Sequence, residues 1–104
     1  MGRAQTLAEV IAILKEHEGF FRGKGITRLA VFGSIARGDA RSDSDVDLVI
    51  DVDPEAKFSL LTLCGVQNGA SDLLGREVDL VMRRSVKPGI LPAIERDEAD
   101  VFRA

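Results

Sequence analysis

The sequence predicts a single α+β domain, with a mixed β-sheet that helices cover mainly on one face. The chain has 104 residues, which is enough for one compact core and too few for a second catalytic domain. Apolar residues recur at helical spacing in some segments and alternate with polar residues in other, shorter ones. These segments follow one another as helix, strand, turn, strand, helix, strand and helix, and a sheet covered on one side accommodates that order most simply. We therefore expect one domain over residues 1–104.

The first predicted element is a helix over residues 6–21. Its apolar side chains are spaced three and four positions apart, and they are Leu7, Val10, Ile11 and Leu14. Thr6 and Glu9 have the spacing of a capping box at its start. Gly23 and Gly25 follow its predicted end.

Three strands are predicted, over residues 28–32, 46–52 and 77–82. The second strand alternates strictly, so that Val46, Leu48 and Ile50 share one face. Asp45, Asp47 and Val49 share the opposite face by the same rule. Residues 58–74 and 88–97 predict two further helices, and residues 100–103 predict a terminal edge strand.

Charge and composition narrow the classes of function. The formal net charge of -3 argues against broad binding of nucleic acid, and the longest apolar runs are too short to span a membrane. No signal-peptide pattern opens the chain, so we expect a cytoplasmic protein. Cys64 and His17 are the only residues of their kinds, which excludes a disulfide within the chain and a Cys- or His-rich metal cluster. Cys64 is expected to be a small core residue.

Asp45 and Asp47 are the first candidate site residues. They lie two apart at the head of a strand, so their carboxylates point to the same side, and two like charges so placed repel each other. Hard oxygen ligands at this spacing suit Mg²⁺. Asp79 interrupts the third strand and adds a third carboxylate if that strand lies beside the second. For an arbitrary Asp-x-Asp, carboxylates that merely cap and solubilise a loop are the commoner outcome.

Gly33 and Ser34 directly follow the first strand. A turn into a short helix at this point exposes backbone N–H groups and a hydroxyl to phosphate oxygens, although an isolated Gly-Ser pair is more often only a turn. Ten residues separate Ser34 from Asp45. Four specified positions at this spacing occur by chance in fewer than about one in a thousand random chains of this length.

The stretch GSIARGDARSDSDVDLVI, residues 33–50, resembles the signature of the nucleotidyltransferase superfamily that includes the palm of polymerase beta. It is most similar to the minimal, stand-alone members, and the resemblance implies their palm-like fold. It assigns phosphate binding to Gly33 and Ser34 and divalent metal binding to Asp45 and Asp47. Asp79 then assists metal binding or deprotonates the attacking hydroxyl. The Ala-Arg-Gly after the Gly-Ser pair makes Arg37 a candidate triphosphate contact.

The same resemblance implies a function and a partner. The resemblance implies divalent metal and ATP, and the chemistry of phosphoryl transfer suits two Mg²⁺ ions. It also implies a partner, which for minimal members is usually a small helical HEPN-domain toxin. The resemblance therefore implies an antitoxin that transfers AMP to a tyrosine of that toxin. The alternatives are a nucleotide-binding module that neutralises a partner by contact alone, and a nucleotidyltransferase with a small-molecule or RNA acceptor. The acidic composition makes free RNA the less favoured acceptor. Arg83 and Arg84 are candidates to meet the acceptor, although such pairs more often only increase solubility.

Overall fold

The computed structural model describes residues 6–41 and 43–103, which form one four-stranded sheet and five α-helices. In chain order the elements are α1 (Leu7–Glu16), α2 (Glu18–Gly23), β1 (Ile26–Phe32), α3 (Gly33–Arg37), β2 (Val46–Val52), α4 (Leu60–Leu74), β3 (Val78–Met82), a 3₁₀ turn (Arg83–Ser85), α5 (Leu91–Asp97) and β4 (Ala99–Phe102). None of the helices in these two ranges combines the length and the apolar character needed to cross a bilayer.

The sheet is mixed, as predicted, with the strand order β3-β2-β1-β4. β2 pairs with β3 in parallel and with β1 in antiparallel orientation, and β4 pairs with β1 in antiparallel orientation. β2 has the predicted bounds, and the predicted terminal strand is the edge strand β4. The third strand lies beside the second, which was the condition for Asp79 to join the other carboxylates.

Helices cover mainly one face of the sheet, as expected. The main core lies between that face and helices α1, α2 and α4, and its fully buried side chains include Val10, Leu14, Phe21, Leu48, Ile50 and Val66. A smaller cluster of Ala30, Val49 and Ile94 lies on the opposite face, which α5 covers in part. Asp47 and Asp79 belong to this second, more open face by the alternation of their strands.

The predicted first helix is in fact two helices, which meet at His17. The capping box of Thr6 and Glu9 is present at the start of α1, as predicted. At residue 17, however, the ring nitrogen Nδ1 of His17 lies 2.9 Å from the carbonyl oxygen of Ile13. An α-helix would use that carbonyl for the His17 backbone N–H, which instead donates to the carbonyl of Leu14 at 3.1 Å. The side chain thus competes with the helical hydrogen bond, and the helix ends there.

Two residue-level expectations were wrong. Cys64 is exposed, because the buried residues of α4 are Val66, Ala70 and Leu74 and a position two residues before this series lies on the other side of the helix. Arg83 is not a surface cation, since only 14% of its side chain is exposed. Its guanidinium pairs with Asp51 at 2.8 Å and with Glu98 at 2.5 Å.

Candidate active site

The parallel pairing of β2 and β3 brings two of the predicted carboxylates side by side. Asp47 and Asp79 are direct partners in the register of the two strands. Asp45 lies just before β2 and is exposed, and Asp79 is exposed as well, whereas Asp47 is half-buried. The three residues therefore occupy one end of the open face, with Asp47 deepest.

Burial and charge act together on Asp47. Loss of solvent raises the pKa of its carboxyl group above the usual value, and the negative charges of Asp79 and Asp45 raise it further. Arg37 acts in the opposite direction and more weakly. Ionised Asp47 is thus destabilised by its surroundings, and a nearby cation would relieve that cost.

Gly33 brings the backbone against the Asp47 carboxylate. Its φ of 75° lies in the left-handed region that favours glycine. A Cβ atom at this position would lie 3.1 Å from Cγ of Asp47 and would overlap Oδ2. Glycine is therefore required here for its conformation and for its lack of a side chain. The Gly-Ser turn and the Asp-x-Asp segment, ten residues apart in sequence, are in direct contact.

A cavity of about 340 Å³ opens beside this contact. Gly33, Ser34, Arg37 and Asp47 line one side of it, and Ile90, Ala93, Ile94 and Asp97 of the α5 region line the other. Ser34 is half-buried and begins helix α3 together with Gly33. Asp45 and Asp79 do not line this cavity. We call it the phosphate cavity, after the role predicted for Gly33 and Ser34.

Arg37 lines the phosphate cavity but is held by two carboxylates. Its guanidinium lies 3.0 Å from Asp97 and 3.3 Å from Asp39. Hydrogen bonding to Asp97 and then to Asp39 raises the pKa of Arg37 above its ordinary value. A triphosphate that recruited Arg37 would have to compete with these two pairs.

The side chains of the predicted metal ligands are not arranged as a ready-made metal site. Within residues 6–41 and 43–103, no group of three or more His, Cys, Asp or Glu side chains is gathered tightly enough to hold a metal ion. The donor set is nevertheless the right kind for Mg²⁺, because it consists of carboxylate oxygens, and the charges of Asp79 and Asp45 raise the pKa of Asp47. The residues fit the ion chemically, and the two exposed carboxylates would have to turn towards it.

The model of the nucleotidyltransferase domain family matches residues 7–101. The chain belongs to the nucleotidyltransferase family. The match covers every strand of the sheet apart from the last residue of β4, together with all of the predicted site residues. The resemblance seen in residues 33–50 is therefore confirmed, and so is the prediction of an enzyme of this class.

This nucleotidyltransferase is similar to curated and solved relatives over most of its length. The protein adenylyltransferase MntA of Thermococcus cleftensis is 41% identical over 93 residues, which cover 88% of this chain and 92% of the relative. A solved structure, provisionally assigned as a minimal nucleotidyltransferase, superposes with a TM-score of 0.79 at 31% identity. That match covers 94% of this chain and 98% of the other.

A more distant structure shows the same fold. It is that of a tri-AMPylated Shewanella oneidensis HEPN toxin in complex with an MNT antitoxin, with a TM-score of 0.63 at 16% identity. The match covers 88% of this chain and 71% of the other. At this level of identity the likeness supports the minimal nucleotidyltransferase fold and nothing finer.

Sequence reasoning missed two residues around the site of this nucleotidyltransferase. Asp97 closes one side of the phosphate cavity and holds Arg37, and no motif marked it. Arg76 is the one charged or polar residue buried in the described part of the chain, with 6% of its surface exposed. Its guanidinium donates hydrogen bonds to the backbone carbonyl oxygens of Arg41 and Ser44, at 3.0 Å for Arg41. It thereby ties the segment before Asp45 to the turn before Asp79.

Proposed function

We propose that this nucleotidyltransferase transfers AMP from ATP to a hydroxyl group on a partner protein, with Mg²⁺ held by Asp45, Asp47 and Asp79. The observation that carries the proposal is the position of Asp47. Its carboxylate touches the Gly-Ser turn, stands in register with Asp79, and is destabilised as an anion by burial and by its neighbours. The identity of 41% to a protein adenylyltransferase supports adenylyl transfer to protein as the activity.

The metal would supply charge neutralisation. When bound, Mg²⁺ offsets the negative charge of the triphosphate and lowers the pKa of the acceptor hydroxyl, and two ions are proposed, as in two-metal phosphoryl transfer. The three carboxylates need such a partner, because at neutral pH they concentrate negative charge at one end of the sheet. Asp47, the least mobile of them by its burial, would set the position of the ions, and Asp45 and Asp79 would complete the ligand set.

The chain's own groups then have distinct roles. Ser34 and the backbone at Gly33 would bind the β- and γ-phosphates in the phosphate cavity, where Arg37 is a further candidate contact. The acceptor oxygen would form a bond to the α-phosphorus as the bond to pyrophosphate breaks. A carboxylate oxygen of Asp79 would take the proton of the acceptor hydroxyl. Asp79 suits that role because it is exposed on the open face, where an acceptor has access.

The proposed partner is a HEPN-domain toxin, and the proposed acceptor is one of its tyrosines. The relative named MntA is a protein adenylyltransferase, and a structure with this fold is described as a complex of an AMPylated HEPN toxin with its antitoxin. Both observations support an antitoxin role here. We place the reaction in the cytoplasm, where ATP is available.

The test is the intact mass of this protein and of the proposed partner, a HEPN-domain protein encoded next to it in the genome, co-purified and measured before and after incubation with ATP and Mg²⁺. We expect one or more AMP units on the HEPN protein. The Asp45→Asn/Asp47→Asn variant should show none, because the metal ligands lose their charge. The matched control is Asp43→Asn/Asp53→Asn, which removes two exposed carboxylates from the neighbouring loops and should transfer AMP normally.

Absence of AMP on both proteins, despite a stable complex, would contradict the proposal and favour neutralisation by contact alone. A second readout addresses the same point. If the Asp45→Asn/Asp47→Asn variant still neutralises the toxin in cells, contact is sufficient and catalysis is not the basis of the antitoxin effect. If AMP is found on an added small molecule or RNA instead of the HEPN protein, the chain is still a nucleotidyltransferase, but the proposed protein acceptor is wrong.

A further inference from the structure

A second cavity, of about 480 Å³, adjoins the phosphate cavity. It lies along the edge strand β3 and under the segment that leads into α5, with Leu63 of α4 at its far side. Its lining is apolar except at Ser85 and Lys87, which sit at the exposed rim. We call it the apolar cavity.

The two cavities lie side by side. Phe32, Ile90 and Ile94 line both of them, so these three side chains form the boundary between the apolar cavity and the phosphate cavity. Ile90 is 53% exposed, so this boundary reaches the surface at its side chain. A ligand with a charged part on Gly33 and Ser34 can therefore extend across Ile90 into the apolar cavity.

One side of the apolar cavity, which we call its floor, is formed by Val81, and this residue lies next to Asp79 along β3. Val81 follows Asp79 by two positions on β3, so both face the same side of the sheet, about 6.6 Å apart along the strand. Val81 also pairs with the buried Val49 of β2 in the register in which Asp79 pairs with Asp47. The carboxylates of Asp47 and Asp79 thus lie next to Val81 and Val49, on the same face of the sheet.

We propose that the apolar cavity binds the nucleobase of the donor, as a flat purine ring inserted between Val81 and the Val86–Ile90 side of the cavity. The inference rests on the proposed function, since it assumes that the phosphate cavity holds a triphosphate. The base is joined to that triphosphate through one sugar, and it is the one large apolar part of the donor. A cavity of this size lies within the range of about 300–1,000 Å³ that small-molecule sites occupy, and it accommodates a bicyclic ring.

The rim of the apolar cavity offers hydrogen-bonding partners for the edge of a base. Lys87 carries only hydrogen-bond donors, so its ammonium group can pair with acceptor nitrogens on the edge of a base but not with exocyclic amino groups. Ser85 can donate or accept. Adenine offers ring nitrogen acceptors along its edge, which an ammonium group and a hydroxyl at the rim can reach. The bulk of the affinity would come from apolar contact and the choice of base from these two side chains.

The test compares binding of Mg²⁺–ATP with binding of Mg²⁺–tripolyphosphate to the chain by titration calorimetry. Tripolyphosphate has the charge without the base. We expect the wild-type chain to bind ATP about tenfold more tightly or better, which corresponds to about 1.4 kcal/mol. Ser85→Trp places an indole at the exposed rim of the apolar cavity, and it should abolish this difference while leaving the affinity for tripolyphosphate unchanged. Asn68→Trp, at an exposed position of α4 outside both cavities, is the matched control.

Several outcomes would overturn the inference. Equal affinities of the wild-type chain for the two ligands would show that no base pocket contributes. If Ser85→Trp weakens the affinity for ATP and for tripolyphosphate equally, with an unchanged melting temperature, the substitution disturbs phosphate binding and not a base pocket. If Ser85→Trp binds ATP normally but no longer transfers AMP to the HEPN protein, the apolar cavity receives the acceptor instead. Failure of the wild-type chain to bind either ligand would overturn the proposed function together with this inference.

Discussion

At the scale of single residues, the contact between Gly33 and Asp47 joins the two halves of the motif. The sequence shows a Gly-Ser pair and an Asp-x-Asp at a fixed spacing, but spacing alone does not say that they touch. In the folded chain a Cβ on residue 33 would overlap the carboxylate of Asp47. The glycine therefore has a reason beyond turn conformation, and that reason can be tested separately.

Gly33→Ala and Gly38→Ala form a matched pair for this purpose. Both glycines have a positive φ, of 75° and 82°, so both substitutions should incur backbone strain of about 1–2 kcal/mol. A Cβ on Gly38 meets no atom within 4 Å, whereas one on Gly33 displaces the Asp47 carboxylate. We expect Gly33→Ala to lower the AMP-transfer rate at least about tenfold more than Gly38→Ala, since a misplaced catalytic group is costly. Equal rates in the two variants would show that the contact does not matter for activity.

Asp47 also makes the stability of the domain depend on pH. Its folded-state pKa is raised, so the protonated form is the one that folding favours, and its contribution to stability is present at low pH and lost as the pH rises through the raised pKa. Asp47→Asn removes this loss of stability, because asparagine does not ionise. In metal-free buffer the variant should therefore melt at a higher temperature than the wild-type chain at pH 7, and this gain should disappear as the pH falls below the usual pKa of an aspartate. A variant that is less stable than the wild-type chain at pH 7 would contradict this reasoning.

At the scale of secondary-structure elements, a buried arginine holds the site together. Arg76 lies between α4 and β3, and it binds carbonyl oxygens of the segment that runs from α3 to β2. Its own carbonyl oxygen accepts a hydrogen bond from the Ser71 hydroxyl at 2.5 Å. The segments before Asp45 and before Asp79 therefore depend on one guanidinium for their relative position.

Arg76→Met should loosen the segment before Asp45 without unfolding the sheet. The substitution keeps the length of the apolar stem but removes the charge-assisted hydrogen bonds to the carbonyl groups of Arg41 and Ser44, which costs about 1.5–3 kcal/mol. We expect faster amide hydrogen exchange in residues 43–46 and weaker Mg²⁺ binding, while exchange in β1 stays slow. The control is Arg96→Met, which removes an exposed arginine from α5. Unchanged exchange in residues 43–46 would mean that Arg76 does not position this segment.

At the scale of the whole molecule, a network of ion pairs connects the segment after β3 and the start of β4 to strands β1 and β2. Arg83 pairs with Asp51 of β2 and with Glu98, and Glu98 also lies 3.3 Å from Arg28 of β1. Arg28 in turn pairs with Asp100 of β4 at 2.9 Å. Because the side chains of Arg83 and Glu98 are only 14% and 9% exposed, the network is largely shielded from solvent. It fixes the segment after β3, which forms the roof of the apolar cavity.

Arg83→Met should destabilise the domain by about 1.5–3 kcal/mol, because it removes charge-assisted hydrogen bonds to Glu98 and Asp51. Glu98 keeps Arg28 as a partner, and Asp51 is 34% exposed, so the charge left behind is only partly uncompensated. Replacing both partners, in Arg83→Met/Glu98→Leu, should recover part of that loss, since the uncompensated charge is then smaller. Arg103→Met is the surface control: its side chain is 63% exposed and pairs with Asp100 at 3.3 Å, so it should cost about 1 kcal/mol or less. Urea unfolding of the four proteins measures these differences. A double variant no more stable than Arg83→Met would contradict the explanation by charge imbalance.

The sequence by itself determined the features that depend on local order along the chain. The bounds of β2, the alternation of Asp45 and Asp47 against Val46 and Leu48, and the capping box of α1 all follow from neighbouring residues, whose steric and hydrogen-bonding preferences act over a few positions. The motif of residues 33–50 was recognisable for the same reason, since its Gly-Ser pair and its two aspartates lie within one short segment of the chain.

Only the tertiary structure decided which distant residues meet. The register of Asp47 with Asp79, the pairing of Arg37 with Asp97 and the burial of Arg76 join positions 32 to 60 residues apart. No local preference encodes such contacts, because they arise from the packing of whole strands and helices around one core. The exposure of Cys64 was missed for a related reason, since the buried face of a helix depends on what packs against it. The break at His17 was missed for a local reason: its ring lies within hydrogen-bond distance of the carbonyl oxygen of Ile13, four residues earlier, and hydrophobic periodicity does not reveal such a contact.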